Sequence, residues 1–307
     1  MFHWIYKKMT SIGHGASLIC EALKNPCLIA RNGSTELQVL SFFETTGTMP
    51  QELCDSLQQY SGIFPATEKS VREWIAAYYS ALNCIEEDPV VAGWFPVRVK
   101  SEQRLLEQNA PLAPHIPLRS LEPYYVKPAS RWTALLKKKR VAVVTSFANS
   151  VAKQLASDRT AIWGPDVESL LPSSTEWFPI QTGFPSSIAQ GRCEWPEGIE
   201  KWQDAVTYLV AEVLKVKADV CLIGCGAIGV IVGAELKKKG VRCIVLGGAI
   251  QVLFGIKGAR WAKHDVISKF WTSAWVWPDK DETPNGASDV ENGCYWSNQP
   301  KRQVQWA

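Results

Sequence analysis

The 307-residue sequence lacks the features that mark several large classes of protein. No apolar run approaches the roughly 18 residues of a membrane-spanning helix, and residues 1–8 lack the apolar core of a secretory signal. An excess of one charge is also missing, because 33 Lys and Arg residues face 30 Asp and Glu residues, which does not indicate a nucleic-acid partner. We therefore expect a soluble, cytoplasmic protein whose partners must be inferred from individual sites.

Common metal and catalytic signatures are absent as well. The nine cysteines include no CxxC pair and no histidine at a zinc-site spacing, so we expect reduced thiols that mostly pack in the core. The sequence has no P-loop, nucleophile elbow, HExxH or kinase signature, which argues against the common ATPases, hydrolases and zinc peptidases. Of the four histidines only His264 lies near a glycine cluster, and a structural role is a simpler interpretation than that of a base.

What the sequence does contain is the composition of a compact α/β protein, with 46% hydrophobic and 21% charged residues. Three segments follow the order strand, turn, helix, from which open α/β sheets build ligand sites, with strands predicted at residues 27–30, 141–145 and 219–223. A strand at 242–246 completes a βαβ unit. We expect one domain over residues 16–278, and a C-terminal loop and tail over 279–307 that packs on it or extends from it.

The third unit contains a GxGxxG pattern formed by Gly224, Gly226 and Gly229 between a strand and a helix. Dinucleotide binding also needs an acidic residue about 20 positions later, and no Asp or Glu occurs from Gly240 to His264. Both nicotinamide and S-adenosylmethionine are therefore disfavoured. Open backbone amides at a helix N-terminus still favour a phosphate or another anion. The alternative is that these glycines only allow a helix to pack closely on a strand.

A second glycine cluster, followed by basic and aromatic residues, resembles a diphosphate cradle. It consists of Gly247, Gly248, Gly255, Lys257, Arg260 and Trp261. Glycines let the backbone approach a ligand, the two cations can neutralise phosphate, and the indole can stack on a ring. A solvated basic turn beside a core tryptophan is the alternative.

The first unit ends in Arg31, Gly33 and Glu36. A glutamate in the first turn of a helix is often only a favourable partner of the helix dipole. If it faces the crevice of the sheet, it can accept the proton of an acceptor hydroxyl, orient a substrate or help to hold a divalent cation. Arg31 would then pair with this carboxylate or with phosphate.

Four stretches of the chain together resemble a known family. They are RNGSTELQVL, VAVVTSFANSVAKQ, the run from ADVCLIGCGAIG to LFGIKGARW, and VENGCYW, and they are distributed over positions 27–296. They are similar to the glycosyltransferases of the GT-D fold class, in particular an uncharacterised branch associated with polysaccharide synthesis. The most specific stretch is 246–261. The resemblance implies a Rossmann-like α/β domain, with an open, mostly parallel twisted sheet and helices on both faces.

The resemblance also implies transfer of a sugar from a nucleoside diphosphate donor, commonly with a divalent metal at an Asp-X-Glu motif. Glu36 matches the glutamate of that motif, whereas Ser34 stands at the position of the aspartate. Two possibilities remain open. Mn²⁺ or Mg²⁺ could be held by Glu36 together with water and the donor diphosphate. Otherwise Lys257 and Arg260 would have to offset the charge of the leaving diphosphate.

The resulting hypothesis is a nucleotide-sugar-dependent glycosyltransferase acting on a glycan or another hydroxyl acceptor. Glu36 and Arg31 would lie at the donor site, and the glycine turns at 224–229 and 247–258 would hold the diphosphate, with Trp261 stacking nearby. Two alternatives stay open. The GCGAIG turn also suits an S-adenosylmethionine-dependent methyltransferase, and the serine at position 34 leaves room for a non-catalytic protein that binds nucleotide sugars.

Overall fold

A five-stranded parallel sheet forms the centre of the computed structural model, which describes residues 11–296. Numbered in chain order, its strands are β1 (Leu28–Ile29), β4 (Arg140–Thr145), β5 (Glu176–Gln181), β6 (Val220–Gly224) and β7 (Arg242–Val245). They lie in the order β1-β7-β6-β4-β5. A two-stranded parallel ribbon, β2 (Val90–Val91) and β3 (His115–Ile116), contacts the chain just after β1 through a bridge between Ala30 and Val90.

The helices fall into a longer and a shorter group. The longer ones are α1 (Ile12–Ala22), α2 (Ser34–Thr46), α3 (Gln51–Ser61), α4 (Glu68–Asn83), α5 (Val99–Asn109), α7 (Ala148–Ala156), α11 (Trp202–Lys215) and α12 (Gly229–Lys237). The shorter ones are α6 (Leu118–Leu121), α8 (Arg159–Trp163), α9 (Val167–Leu170), α10 (Ser186–Ala189) and α13 (Ala249–Leu253). Single 3-10 turns occur at Pro96–Arg98, Pro123–Tyr125, Pro128–Ser130, Trp132–Leu136, Gly164–Asp166, Gly226–Ile228, Ala259–Trp261, Ile267–Phe270, Lys280–Glu282, Ala287–Asp289 and Glu291–Gly293.

The sheet separates two hydrophobic cores. Alternate side chains of β4 point to opposite faces, so that Ala142 and Val144 join one core and Val141 and Val143 join the other. Helices α4, α11 and α12 cover the first face, and α1, α7 and α13 cover the second. Burial on both faces explains why β4 and β6 are continuous apolar runs rather than alternating ones. The predicted α/β class, with a parallel sheet and helices on both faces, is confirmed.

Strand β5 was not predicted, because its sequence EWFPIQ contains Pro179 and lies in a segment rich in proline and serine. Proline has no backbone N–H to donate and is therefore tolerated in a strand mainly at the edge of a sheet. β5 is the edge strand beside β4, with Pro179 in register with Val143. This segment forms a strand because it lies at the edge of the sheet, and a local sequence pattern does not show that position.

The segment after position 278 packs against the N-terminus of α7. The buried Glu282 carboxylate accepts hydrogen bonds from the backbone N–H of Asn149, at 2.6 Å, and of Ser150, at 3.1 Å, and from the Ser150 hydroxyl. The buried Trp296 indole donates to the Glu282 carbonyl at 2.9 Å. The first turn of this helix is thus capped by a residue more than 130 positions away in the chain.

Within residues 11–296, no helix combines the length and the hydrophobicity needed to cross a bilayer. Residues 1–8, on which the expectation about a secretory signal depends, lie outside the described part of the chain. The last positions of the predicted tail, 297–307, also lie outside it.

Replacing Glu282 tests how strongly the C-terminal segment is held. Glu282→Ala leaves two backbone N–H groups without their acceptor, so we expect the free energy of unfolding to fall by about 1–3 kcal/mol. Urea unfolding followed by circular dichroism measures the change. Asp281→Ala is the matched control, because this neighbouring side chain is exposed. Equal stability of the two variants would contradict the assigned cap.

Candidate functional site

A cavity of about 800 Å³ opens at the edge of the sheet where the strands end. Residues that follow each of the five strands contribute to its lining, namely Arg31, Ser146, Thr182, Cys225 and Gly247. The chain leaves β4 toward β5, whereas the next strand, β6, lies on the other side of β4. Open α/β sheets bind ligands in the crevice that such a reversal creates. The position of the cavity is therefore set by the topology.

The structure brings most of the predicted site residues to this cavity. The lining includes Arg31, Gly33, Glu36, Gly224, Gly226, Gly247, Gly248, Arg260 and Trp261. These residues come from three segments that are widely separated in sequence. They meet because β1, β7 and β6 are neighbours in the sheet.

Arg31 is held against the backbone that follows β7. Its Nη1 donates to the Leu246 carbonyl at 3.1 Å, and its guanidinium lies 4.5 Å from the centroid of the Trp94 ring. Gly247 has a φ of +56°, which favours glycine, and a Cβ atom there would lie 2.9 Å from Cζ of Arg31 and displace the guanidinium. Arg31 takes part in none of the ion pairs found among residues 11–296. Its charge is available to an anion in the cavity.

A buried polar network fixes the loop that carries Trp94. The Glu102 carboxylate accepts hydrogen bonds from the backbone N–H of Gly93, at 2.7 Å, and from the Asn32 amide, at 3.2 Å. Asn32 in turn accepts a hydrogen bond from the Tyr78 hydroxyl at 2.8 Å. Burial raises the pKa of Glu102, although its hydrogen bonds oppose this. The sequence pattern did not reveal this support, because its members lie on four different segments.

Glu36 reaches the cavity, but its carboxyl group folds back over the N-terminus of α2. A Cβ atom on Gly33 would lie within 2.7 Å of both carboxylate oxygens. The carboxyl group faces its own backbone N–H and the Ser61 hydroxyl. Burial raises its pKa, while these two groups and Arg31 oppose the rise. The carboxyl group thus lies over the first turn of its own helix while the residue lines the cavity.

These surroundings do not fit a metal site at Glu36. Divalent cations of the Mg²⁺ type need several oxygen ligands that are free to converge. Residues 11–296 contain no group of three or more His, Cys, Asp or Glu residues arranged to hold an ion. The positive charge of Arg31 acts on the carboxylate, and Ser34, two positions before Glu36, supplies no second carboxylate. The metal role of Glu36 stays a prediction.

The turn after β6 packs tightly against the end of α3. Gly226 has a φ of +64°, and a Cβ atom there would lie 2.4 Å from the Ser61 carbonyl oxygen. A Cβ atom on Gly224 would lie 2.9 Å from the Gly247 carbonyl oxygen. Both positions therefore require glycine. Gly224 and Gly226 remain partly exposed, so their backbone is open to a ligand.

Arg260, Trp261 and Tyr295 surround Gly248, which also lines the cavity. A Cβ atom on Gly248 would lie 3.2 Å from the tyrosine ring and 3.7 Å from Nη1 of Arg260. The Arg260 guanidinium lies 4.8 Å from the centroid of the Tyr295 ring and pairs with Glu291 at 3.4 Å. Arg260 and Trp261 thus reach the cavity as predicted, together with two residues that the sequence did not single out.

Three predicted residues lie outside the lining of the cavity. Gly229 is buried in the first turn of α12, where a Cβ atom would lie 3.2 Å from the Ile223 side chain. Gly255 is buried with a φ of +67° and packs on Ile162. The Lys257 ammonium lies 5.6 Å from the centroid of a different indole, Trp271. These placements correct the expected phosphate contacts, because the two glycines serve packing and the lysine faces another surface.

Two further titratable residues line the cavity: Glu122, which the sequence analysis did not identify, and His264, which it interpreted as structural. Glu122, directly after α6, is only 9% exposed, and nothing in its proline-rich surroundings indicated a site. His264 also lines the cavity, and its Nδ1 accepts hydrogen bonds from the backbone N–H of Val266 and Ile267, both at 3.2 Å. A neutral histidine with Nδ1 as acceptor carries its proton on Nε2. His264 is therefore a hydrogen-bond donor rather than a base at that atom.

Gly226→Ala tests the close approach of the turn after β6. The new methyl group would collide with the Ser61 carbonyl, so we expect a loss of stability about 1–3 kcal/mol larger than in the control. The control is Gly240→Ala, which also has a positive φ, +87°, but no atom within 4 Å of the added Cβ. Urea unfolding of both variants gives the difference. An equal loss would show that backbone strain alone selects glycine at position 226.

No protein-family model, no curated protein and no solved structure matches this chain.

Proposed function

We propose that the protein is a glycosyltransferase that uses a nucleoside diphosphate sugar as donor and a hydroxyl group, such as that of a glycan, as acceptor. The observation that carries this proposal is the combination of two guanidinium groups, Arg31 and Arg260, with open glycine backbone at the carboxyl edge of a parallel sheet. A cavity of about 800 Å³ is large enough for a ligand of the size of a nucleotide sugar.

The diphosphate of the donor would lie between Arg31 and Arg260. A guanidinium group donates paired hydrogen bonds to phosphate oxygens and keeps its charge at every physiological pH. The partly exposed backbone of Gly224, Gly226 and Gly247 borders the same space and allows close approach of the phosphates. Arg31 is held in place by Leu246 and Trp94, so little side-chain entropy would be lost on binding.

Aromatic side chains supply the surfaces for the uncharged parts of the donor. Trp94, Trp195, Trp261 and Tyr295 all line the cavity. Flat aromatic faces pack against a nucleobase or against the apolar face of a sugar ring. The cavity thus joins cationic and aromatic walls, which matches a ligand that is anionic in the middle and flat or polyhydroxylated at its ends.

Catalysis would come from orientation and from stabilisation of the leaving group. When the bond from the anomeric carbon to the diphosphate breaks, negative charge develops on the diphosphate. Arg31 and Arg260 are already positioned next to this charge and can stabilise it without a metal ion. The Glu36 carboxyl, which lies against Gly33, would help to orient the donor rather than bind a cation.

Replacing Arg31 tests the diphosphate site. Arg31→Gln removes a charged hydrogen-bond donor worth about 1.5–3 kcal/mol, so we expect the Kd for the preferred sugar nucleotide to rise about 10- to 150-fold. Calorimetry with UDP, GDP, CDP and dTDP sugars identifies the preferred donor and measures the change. The control is Arg104→Gln on α5, where the arginine is exposed and lies outside the cavity lining. Equal affinity of the two variants would exclude Arg31 from the donor site.

The same calorimetry distinguishes the other classes of function. Binding of S-adenosylmethionine in place of sugar nucleotides would favour the methyltransferase alternative. Binding of a sugar nucleotide without any release of nucleoside diphosphate would favour a non-catalytic binding protein.

The role of a metal ion is tested by donor turnover. We expect release of nucleoside diphosphate both with Mn²⁺ and in the presence of a chelator, because the two arginines can stabilise the leaving group. Glu36→Gln should leave this independence of metal unchanged. Strict dependence on Mn²⁺ that Glu36→Gln abolishes would contradict the expectation and support the metal site predicted from the resemblance.

A further inference from the structure

Glu122 is a buried carboxyl group at the wall of the cavity. It follows the short helix α6 and immediately precedes Pro123, and its residue is 9% exposed. It takes part in none of the ion pairs among the described residues. A carboxyl group that is buried at a cavity without an ion-pair partner is costly for stability, and such groups concentrate at functional sites.

The groups that face Glu122 come from three parts of the chain. Arg119 lies on α6, Arg31 follows β1, and Arg260 follows β7, and all three guanidinium groups act on this carboxyl. The hydroxyl groups of Tyr124 and Tyr125, which follow closely in the chain, also interact with this carboxyl. Two of these cations are the proposed diphosphate ligands. Glu122 lines the same cavity as all three arginines, so its carboxyl group borders the space in which the donor would be bound.

The other titratable groups of the lining are already engaged. The Glu36 carboxyl faces its own helix N-terminus and the Ser61 hydroxyl. Glu291 pairs with Arg260, and its carboxylate also accepts a hydrogen bond from the Cys294 thiol. His264 accepts two backbone hydrogen bonds at Nδ1 and so presents a donor at Nε2. Glu122 alone among these side chains has no backbone or ion-pair partner that fixes its carboxyl group.

We propose that Glu122 is the catalytic base that accepts the proton of the acceptor hydroxyl. This inference rests on the proposed function. The acceptor oxygen forms a bond to the anomeric carbon, and the bond from that carbon to the diphosphate oxygen breaks with its electron pair. The hydroxyl proton passes to a carboxylate oxygen of Glu122. Arg31 and Arg260 hold the departing diphosphate.

The acidity of Glu122 suits this role. Burial raises its pKa to about 7, while Arg31, the Tyr124 hydroxyl, Arg119 and Arg260 oppose the rise. A base with a pKa near the working pH combines a sufficient ionised fraction with the strongest drive for proton transfer. A bound diphosphate would partly neutralise the arginines, so the pKa in the donor complex should lie at or above this value. Activity must then rise with pH through this range, because only the ionised carboxylate accepts a proton.

The experiment uses the full chain and the sugar nucleotide that binds most tightly in the calorimetric panel. Release of nucleoside diphosphate is measured with water in place of the acceptor hydroxyl, from pH 5.5 to about 9, for the parent protein and Glu122→Gln. Loss of a general base lowers rates by about 10²–10⁴-fold, so we expect kcat to fall at least about 100-fold. The Kd of the donor should change less than about 3-fold, because the arginines remain. The rise of kcat with pH should disappear in the variant.

A matched surface variant and a rescue experiment complete the test. Glu87→Gln changes an exposed carboxylate outside the cavity and should retain the parent kcat and pH profile. Glu122→Ala leaves space beside the arginines, and added formate should restore part of its kcat by acting as an external base. The rescue distinguishes loss of a base from damage to the fold.

The outcomes separate this assignment from the proposed function. Normal donor binding with an unchanged kcat or an unchanged pH profile in Glu122→Gln would overturn the role of Glu122 and leave the glycosyltransferase proposal intact. Failure of the parent protein to bind any sugar nucleotide would overturn the proposed function, and the role of Glu122 with it.

Discussion

The parallel arrangement of the five strands is the constraint on which the site depends. Because every strand of such a sheet ends at the same edge, residues that follow β1, β6 and β7 must meet there although nearly 200 positions separate Arg31 from Gly224 in the chain. The connections place helix N-termini and tight turns at this edge, where backbone N–H groups lack intrahelical partners. The sheet therefore supplies a region that favours anions before any charged side chain is added, and Arg31 and Arg260 strengthen it.

Arg31 needs a rigid support, and the structure provides one by burying polar side chains, which is unfavourable unless they are hydrogen-bonded. Asn32, Tyr78 and Glu102 form a buried polar chain that fixes the loop of Trp94, and Trp94 in turn covers the guanidinium of Arg31. Each of these three side chains makes a hydrogen bond within the chain or to the Trp94 loop, which is what a buried polar network needs to be stabilising, whereas the indole N–H of Trp94 itself has no partner among the described residues. An arginine held between an indole and a backbone carbonyl keeps its orientation when no ligand is bound. The electrostatic character of the cavity is thus largely preorganised.

The sequence predicted those elements of the structure that are determined by neighbouring residues in the chain. The βαβ unit around β6, α12 and β7 follows from an apolar strand, a glycine turn and a second, mostly apolar segment that ends at Gly240, all within about 30 residues, and its type was correct. The GxGxxG pattern was ambiguous, and the structure divides it, with Gly224 and Gly226 at the cavity and Gly229 in the packing of α12. Glu122 could not be recognised, because its burial at the cavity and two of the three arginines that act on it, about 90 and 140 positions away, come from the tertiary structure.

The cap that Glu282 places on α7 has a consequence for where a ligand can reach the backbone. The helix N-terminus after β4 would otherwise offer the same backbone donors as the turn after β6, but an internal carboxylate already occupies them. Those donors are therefore not available to a ligand, whereas Gly224, Gly226 and Gly247, in the turns after β6 and β7, keep exposed or partly exposed backbone at the cavity. The internal cap thus makes the strand ends unequal, because a ligand can reach the main chain after β6 and β7 but not the first turn of α7.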